Sequence, residues 1–391
     1  MSQKFCVFLQ VSHRVTAPVN PTLEYYTKVY DKLEGFEIAS PDFMELPTWI
    51  AIASGMLGDN YTQVLHVVTD VEDTIEYLNT LPWDTTILAS VMDVNVSVLQ
   101  HIVEEAEPKY WVVGGYVDFK RYIWLSSTIV LDSIYSLGHV LDADVTAEPD
   151  YSIFGKMRTI PRLHLSDGCL HNCAFCTIDR EVVEYTEHAV RAQVASFATM
   201  NFSLVYISDK TFGQAKNVDL LADVAEWIWE FNPDFIGFIV QTTVQEAKRG
   251  AKHWIEDLNV MYIEVGVEHV DDDYLKRMRK PYNLRMLSEL TSYLRSDYRG
   301  LVGFIPNIMF ALPDADYTST LEWVYANRDI ISFVNPFILC QYSSSKGVMV
   351  DDASGEHDQD ENNLSKSWLT EAQVVEARTA MGSVFHITGG G

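Results

Sequence analysis

The stretch Ser166-Asp167-Gly168-Cys169-Leu170-His171-Asn172-Cys173-Ala174-Phe175-Cys176-Thr177 decides how this chain is read. Cys169, Cys173 and Cys176 are spaced Cys-x3-Cys-x2-Cys on one short loop, close enough to hold three irons of a cubane cluster. A [4Fe–4S] cluster ordinarily takes four cysteines, so a set of three leaves one iron open to an outside ligand. That is the arrangement of a catalytic cluster. Zinc is the competing reading, but zinc wants four ligands, and no second Cys-x2-Cys pair exists because Cys6 and Cys340 stand alone. His171 is too close to its neighbours to complete a tetrahedral site without strain. Five cysteines in 391 residues are too sparse, and odd in number, for a disulfide framework. A structural or redox-sensing metal site therefore stands as the alternative that the rest of the chain must decide.

Length suggests two domains and a tail, and a hydrophobic content of 48% is ample for packed cores. Lys and Arg total 28 against 55 Asp and Glu, for a net charge of -27. That field repels phosphate backbones and anionic membrane surfaces, which argues against non-specific nucleic-acid binding and leaves room only for a local basic groove. The one dense basic run, Lys276-Arg277-Met278-Arg279-Lys280, reads as a helix C-terminus, where cations complement the dipole. Met1 to Phe8 holds no basic segment followed by an apolar stretch, and no run reaches the length of a membrane span. The expectation is a soluble, cytoplasmic protein without a membrane partner.

From Arg162 onward, apolar strand-like runs alternate with amphipathic helical stretches. The strands read as Arg162 to Ser166, Leu204 to Ser208, Phe235 to Gln241, Val260 to Gly266, Val302 to Leu312 and Ile331 to Leu339. Between them, Asn217 to Phe231 carries Val218, Leu221, Val224, Ala225 and Ile228 at helical spacing behind an Asn217 cap. Thr186 to Met200, Thr243 to Leu258, Leu284 to Arg295 and Thr318 to Asp329 read as further helices. Six β–α alternations imply a parallel sheet with right-handed crossovers. Before Tyr151 the pattern is α/β but separate: strands at Lys4 to Val11, Val64 to Val68, Thr86 to Val91 and Tyr110 to Val113, with helices at Thr22 to Leu33 and Val96 to Glu105. Gly114 and Gly115 close the last of these strands, where a ligand's backbone or phosphate could approach, although a tight turn is the ordinary use of such a pair. Asp351 to Glu361 reads as a solvated acidic loop, followed by a helix over Leu369 to Met381 and the tail Gly389-Gly390-Gly391.

At the cysteine loop, with the aromatic Phe175 just before the third cysteine, the chain resembles the radical S-adenosylmethionine (SAM) superfamily. The resemblance implies a (βα)6 partial barrel over residues 151–345, with 346–391 as acidic loop and C-terminal tail. Residues 1–150 resemble the Rossmann-like cobalamin-binding domain that precedes the barrel in one large radical SAM class, on Ile87-Leu88-Ala89-Ser90-Val91-Met92 and Trp111-Val112-Val113-Gly114-Gly115. No Asp-x-His-x-x-Gly motif occurs, so nothing marks a histidine ligand to cobalt, and cobalamin binding stays open. Methylthiotransferases are disfavoured, because Cys6 alone cannot hold a second cluster.

In an α/β barrel the strand C-termini carry the chemistry. Ser208-Asp209-Lys210-Thr211-Phe212 resembles the segment that contacts the methionine amino group of SAM, with Asp209 as carboxylate or, equally, as a helix cap; Lys210 departs from the second acid often found there. Ile263-Glu264-Val265-Gly266-Val267-Glu268-His269 resembles the family's strand-end glutamate, and Glu268, at the mouth, is the candidate for the SAM ribose, with Glu264 on the same face. Gln241 is a further candidate for ribose or substrate. Phe310-Ala311-Leu312-Pro313-Asp314 resembles a strand end of the form Phe-Gly-Leu-Pro-Gly-Glu that lines the adenine pocket, with Ala311, Asp314 and Ala315 in place of the glycines and acid. The cofactors so implied are a [4Fe–4S] cluster and SAM, with an electron donor such as a flavodoxin or ferredoxin. Reductive cleavage of SAM would then yield a 5′-deoxyadenosyl radical acting on a small-molecule or peptide substrate, followed by methyl transfer if cobalamin is bound, or by oxidation, cyclisation or epimerisation if not.

Overall fold

The computed structural model describes residues 4–16, 21–36, 42, 46–92, 94–107, 109–115, 117, 122, 128–155, 157–341, 345–347, 349 and 363–389. The acidic stretch 351–361, Tyr342 to Ser344 and the last two glycines lie outside these residues. The chain divides into two compact units, one formed by Met1–Pro21, Glu37–Thr159 and Ala195–Asn201, the other by Thr22–Phe36, Ile160–Val194 and Phe202–Gly391.

The first unit is built on five parallel strands: β1 (Lys4–Val11), β2 (Tyr61–Val68), β3 (Thr86–Val91), β4 (Tyr110–Gly115) and β5 (Ile129–Val130), in the order β2-β1-β3-β4-β5. β1 and β3 are apolar almost throughout because both faces of the sheet are covered. On one face Val7, Leu9, Ile87, Ala89, Trp111 and Val113 pack with Ile75, Leu78, Leu99 and Ile102. Those last four come from the helices Val71–Thr80 and Val96–Glu105. Asp70 caps the first by accepting from Asp73 N at 3.0 Å. On the other face Phe8 meets Trp49 of the helix Thr48–Leu57 edge-on. Neither Thr48–Leu57 nor Val71–Thr80 was expected from the sequence.

The second unit carries six parallel strands, each matching one expected run: β6 (Arg162–Leu163), β9 (Leu204–Ile207), β10 (Gly237–Thr243), β11 (Val260–Glu268), β12 (Gly303–Phe310) and β13 (Asn335–Ile338), in sequence order across the sheet. The numbers between belong to a small antiparallel hairpin, β7 (Ser166–Asp167) with β8 (Val183–Glu184), which brackets the cysteine loop. The sheet curls into a parallel half-barrel. Its crossover helices include Leu220–Trp229, Val244–Asp257, Leu284–Asp297 and Thr318–Asn327. Thr243 and Asn283 cap the second and third of these.

Two expected helices differ in placement or length from the sequence reading. Residues 22–30 of the helix Pro21–Tyr30, expected beside the first sheet, belong to the second unit: Tyr25, Val29 and Phe36 pack on Leu204, Ile239, Tyr262, Ile305 and Phe333 at the floor of the half-barrel. The last helix runs from Glu371 to Gly389, well past Met381. Tyr25 holds that end in place, stacking on Phe385 at 4.2 Å and pairing its hydroxyl with Thr388 Oγ1 at 2.6 Å.

Candidate functional site

The cysteine loop leaves the hairpin strand β7 through Gly168, whose φ of +85° and close approach to the chain leave no room for a side chain. A Cβ there would stand 1.7 Å from the Glu181 carbonyl oxygen. Beyond it, Cys169 N donates to the Asp179 carbonyl, Ala174 N to Met278, Gly347 N to Ala174 and Lys346 N to Cys176. Neighbouring segments therefore hold the loop through its backbone, leaving its side chains for other work. Cys169 and Cys173 are buried and Cys176 half-buried, all as free thiols. Thr211 Oγ1 lies 3.2 Å from Cys169 Sγ, and Ile178 N donates to Cys176 Sγ at 3.4 Å. Among the described residues no three His, Cys, Asp or Glu side chains come together as they would around one metal ion. Burial pushes the Cys173 thiol above its ordinary pKa, and the Lys280 ammonium pulls against that.

Lys280 is the residue beside the cysteine loop that sequence reasoning missed. The run Lys276 to Lys280 begins as a helix C-terminus, since the helix Asp272–Arg277 ends there. Arg279 then adopts a left-handed φ of 56° and turns Lys280 inward. Its side chain is only 4% exposed, and its Nζ donates to Glu268 Oε1 at 2.9 Å and lies 5.7 Å from the Phe175 ring centroid. Burial alone would lower its pKa, but Glu268 and then Cys173 more than offset this and leave it above the usual lysine value.

Glu268 itself stands at a register shift of β11, with φ of 60°. A Cβ on Gly266, one pleat below, would stand 2.8 Å from Glu268 Oε1 and 3.3 Å from Lys280 Nζ, so a side chain there would displace the pair. Cys173, Phe175, Glu268 and Lys280 thus gather at one end of the sheet. His269 is buried beyond the strand, with Nδ1 paired to Thr320 Oγ1.

Asp209 reaches a different environment. Oδ1 accepts from Leu165 N at 2.8 Å and Ser166 N at 2.9 Å, and Oδ2 from Ser166 Oγ at 2.7 Å. It pins the segment entering the cysteine loop, and burial pushes its pKa up against those donors. Asn217, expected as a helix cap, donates instead to the Leu165 and Tyr185 carbonyls and braces the same hairpin; the helix starts at Leu220 after a 3-10 turn. Gln241 faces the lumen, its Oε1 3.0 Å from the Tyr206 hydroxyl. The strand end after β12 takes left-handed backbone at Ala311 and Asp314, with φ of 58° and 55°. These are the two positions where the family's strand end carries glycine.

In the first unit, Gly114 and Gly115 line a cavity of about 450 Å³ at the C-terminal ends of β3 and β4, with Trp49, Ser90, Leu131 and Ser133. Gly115 is fixed by its backbone, with φ of 137° and the Val91 carbonyl oxygen 2.0 Å from where a Cβ would stand. A Cβ on Gly114 would meet only Leu131, at ordinary contact distance. Cys6 is fully buried and pushed far above the usual thiol range by burial, which makes it inert.

No sequence-family model and no curated protein matches the chain. Solved structures do. The radical S-adenosylmethionine methyltransferase TsrM from Kitasatospora setae, with cobalamin and a [4Fe–4S] cluster bound, superposes with a TM-score of 0.59 at 10% identity, covering 88% of this chain and 77% of that one. The cobalamin-dependent S-adenosylmethionine radical enzyme OxsB with aqua-cobalamin bound gives 0.54 at 14% identity, covering 83% of this chain and 52% of that one. This chain thus spans about half the length of OxsB. A six-stranded parallel half-barrel, a cysteine loop after its first strand and these superpositions agree: the chain has the fold of radical SAM enzymes that bind cobalamin.

Proposed function

We propose that this chain is a radical SAM enzyme that holds a [4Fe–4S] cluster on Cys169, Cys173 and Cys176 and binds SAM at the iron they leave open. The observation that carries the reading is the loop itself: three free thiols at Cys-x3-Cys-x2-Cys spacing, at the end of a half-barrel strand, beside the buried Lys280 ammonium. Structural zinc ordinarily takes four protein ligands, whereas in a cubane each of three thiolates takes its own iron and leaves the fourth open. When bound, such a cluster supplies the electron that splits a C–S bond of SAM and starts hydrogen abstraction from the substrate.

The chain's own residues bind and orient. Lys280, kept charged by Glu268, offsets the negative charge of the thiolates and meets the SAM carboxylate as a charge-assisted partner. Glu268 accepts from the ribose hydroxyls, Phe175 walls the loop, and the strand end Ala311 to Pro313 lines the adenine. Asp209 acts as a positioning residue: its oxygens hold Leu165 and Ser166, and the methionine ammonium falls to other groups. Electrons come from a donor of flavodoxin or ferredoxin type.

We read the first unit as a Rossmann-like domain that receives cobalamin at the cavity beside Gly114 and Gly115, and methyl transfer as the outcome. The bare glycine edge supports this. The missing Asp-x-His-x-x-Gly motif means that the domain supplies no histidine to cobalt by that route. It also keeps a second outcome in view, radical oxidation, cyclisation or epimerisation on an empty scaffold.

Anaerobic reconstitution with iron and sulfide, then SAM and a reductant, tests the first claim through release of 5′-deoxyadenosine. Hydroxocobalamin absorbance retained after desalting separates the two outcomes. Stoichiometric zinc in the native protein, with no iron uptake, would favour a structural metal site instead.

A further inference from the structure

The lumen of the half-barrel is layered. Leu204, Ile239, Tyr262, Ile305 and Phe333 form an apolar floor. Two residues further along each strand, and so on the same face, stand Tyr206, Gln241, Glu264, Asn307 and Asn335. Every one of β9 to β13 places a polar side chain at that level. A sheet interior that served only stability would fill it with branched apolar residues.

The layer has more acceptors than donors. Glu264 is 6% exposed; its Oε1 accepts from Asn307 Nδ2 at 2.9 Å and Asn335 Nδ2 at 3.1 Å, and its Oε2 lies 2.9 Å from the Tyr206 hydroxyl. The same hydroxyl faces Gln241 Oε1 at 3.0 Å, and a phenol has one proton to give, so one of the two oxygens goes without at any moment. Tyr26 OH donates to Asn335 Oδ1. Asn307 is 4% exposed and its Oδ1 is buried without a hydrogen-bond partner among the described residues. The carboxylate fixes that amide's orientation, since the flipped form would set oxygen against oxygen. Arg162 lies 4.5 Å over the Tyr206 ring and donates to Ser208 Oγ. Burial nonetheless holds Glu264 above the usual carboxylate range. Above the layer the Glu268–Lys280 pair lies over Gly266, and Phe337, in register with Met309, is 41% exposed.

We propose that this polar layer is the substrate subsite and that it takes a primary ammonium group, with an aromatic or apolar body toward Phe337. The inference rests on the reading above, that the barrel is catalytic. An ammonium brings three donors and one positive charge, which meets the spare capacity of Gln241 Oε1 and Asn307 Oδ1 and neutralises Glu264.

The test uses two probes that differ only in that group, 2-phenylethylamine and 2-phenylethanol, titrated calorimetrically into the full chain before and after cluster reconstitution. The wild type is expected to bind the amine at least tenfold more tightly than the alcohol, and Glu264→Gln to lose at least tenfold for the amine alone. Asn307→Ala, checked for folding by circular dichroism, serves if Glu264→Gln does not fold, and should weaken the amine severalfold. Equal affinity for the two probes, no binding of either, or a folded variant that keeps the amine preference would overturn the proposal. Iron uptake in the same samples reports separately on the cysteines: amine preference without iron would sink the cluster and leave the subsite, and the reverse result would sink the subsite alone.

Discussion

Lys280 Nζ lies 2.9 Å from Glu268 Oε1, and both side chains are at least nine-tenths buried. Two charges taken out of water gain little net stability from each other, but removing one strands the other. Lys280→Met should therefore cost about 3–5 kcal/mol, the range for breaking a buried pair. Lys280→Met with Glu268→Gln should recover most of that loss while still failing to bind SAM. Thermal unfolding of the single and double variants checks the first statement, and SAM titration of the reconstituted double variant checks the second.

Gly168→Ala should leave the half-barrel folded and cripple the cysteine loop. Its Cβ would collide with the Glu181 carbonyl, and φ of +85° is left-handed backbone. Iron uptake should fall severalfold with far-ultraviolet circular dichroism unchanged. Full iron loading in the variant would show that the loop does not depend on this turn.

At Ala311 and Asp314 the backbone is left-handed, which costs a non-glycine residue about 1–2 kcal/mol. Glycine relieves that strain but adds freedom to the unfolded chain. Ala311→Gly should be stabilising by a net of roughly 0.5–1 kcal/mol, a rise in Tm of roughly 2 °C for a domain of this size. A fall in Tm measured by calorimetry would contradict the assignment of strain.

His253 bridges Asp257 at 2.8 Å and Asp219 at 2.7 Å on the surface of the second unit. The two carboxylates raise its pKa above 6.5. A folded-state pKa above the unfolded one means that the bridge contributes fully below pH 6.5 and is lost as pH rises through the folded value. His253→Gln should thus lower Tm at about pH 6 and match the wild type by about pH 9. Exposure and salt keep the effect small, and a constant difference across that range would contradict it.

Much of this was legible in the chain. The six half-barrel strands stood out as apolar runs, and Glu268 as the acid at a strand end. Lys280 did not stand out, because one left-handed residue, Arg279, decides whether a basic run stays on the surface or turns inward, and nothing in the letters marks it. Asn217 read as a cap because caps and loop braces use the same side chain. For Asp209 a ligand and a helix cap read equally well, because the tie to Leu165 and Ser166 exists only once β6 and β9 are paired. Helix Pro21–Tyr30 was placed by sequence neighbourhood, whereas its Tyr25 and Val29 find their apolar surface under the half-barrel. The polar layer around Glu264 escaped notice, since a period of two gives the face of a strand and not what faces it across a lumen.

The central claim is that three cysteines hold a cluster with one iron open to SAM. Electron paramagnetic resonance of the reconstituted, dithionite-reduced protein, recorded with and without SAM, tests it most directly. The account expects a [4Fe–4S]⁺ signal that shifts on adding SAM and that Cys173→Ala abolishes. A cluster signal indifferent to SAM, or no cluster signal from a protein loaded with zinc, would contradict it.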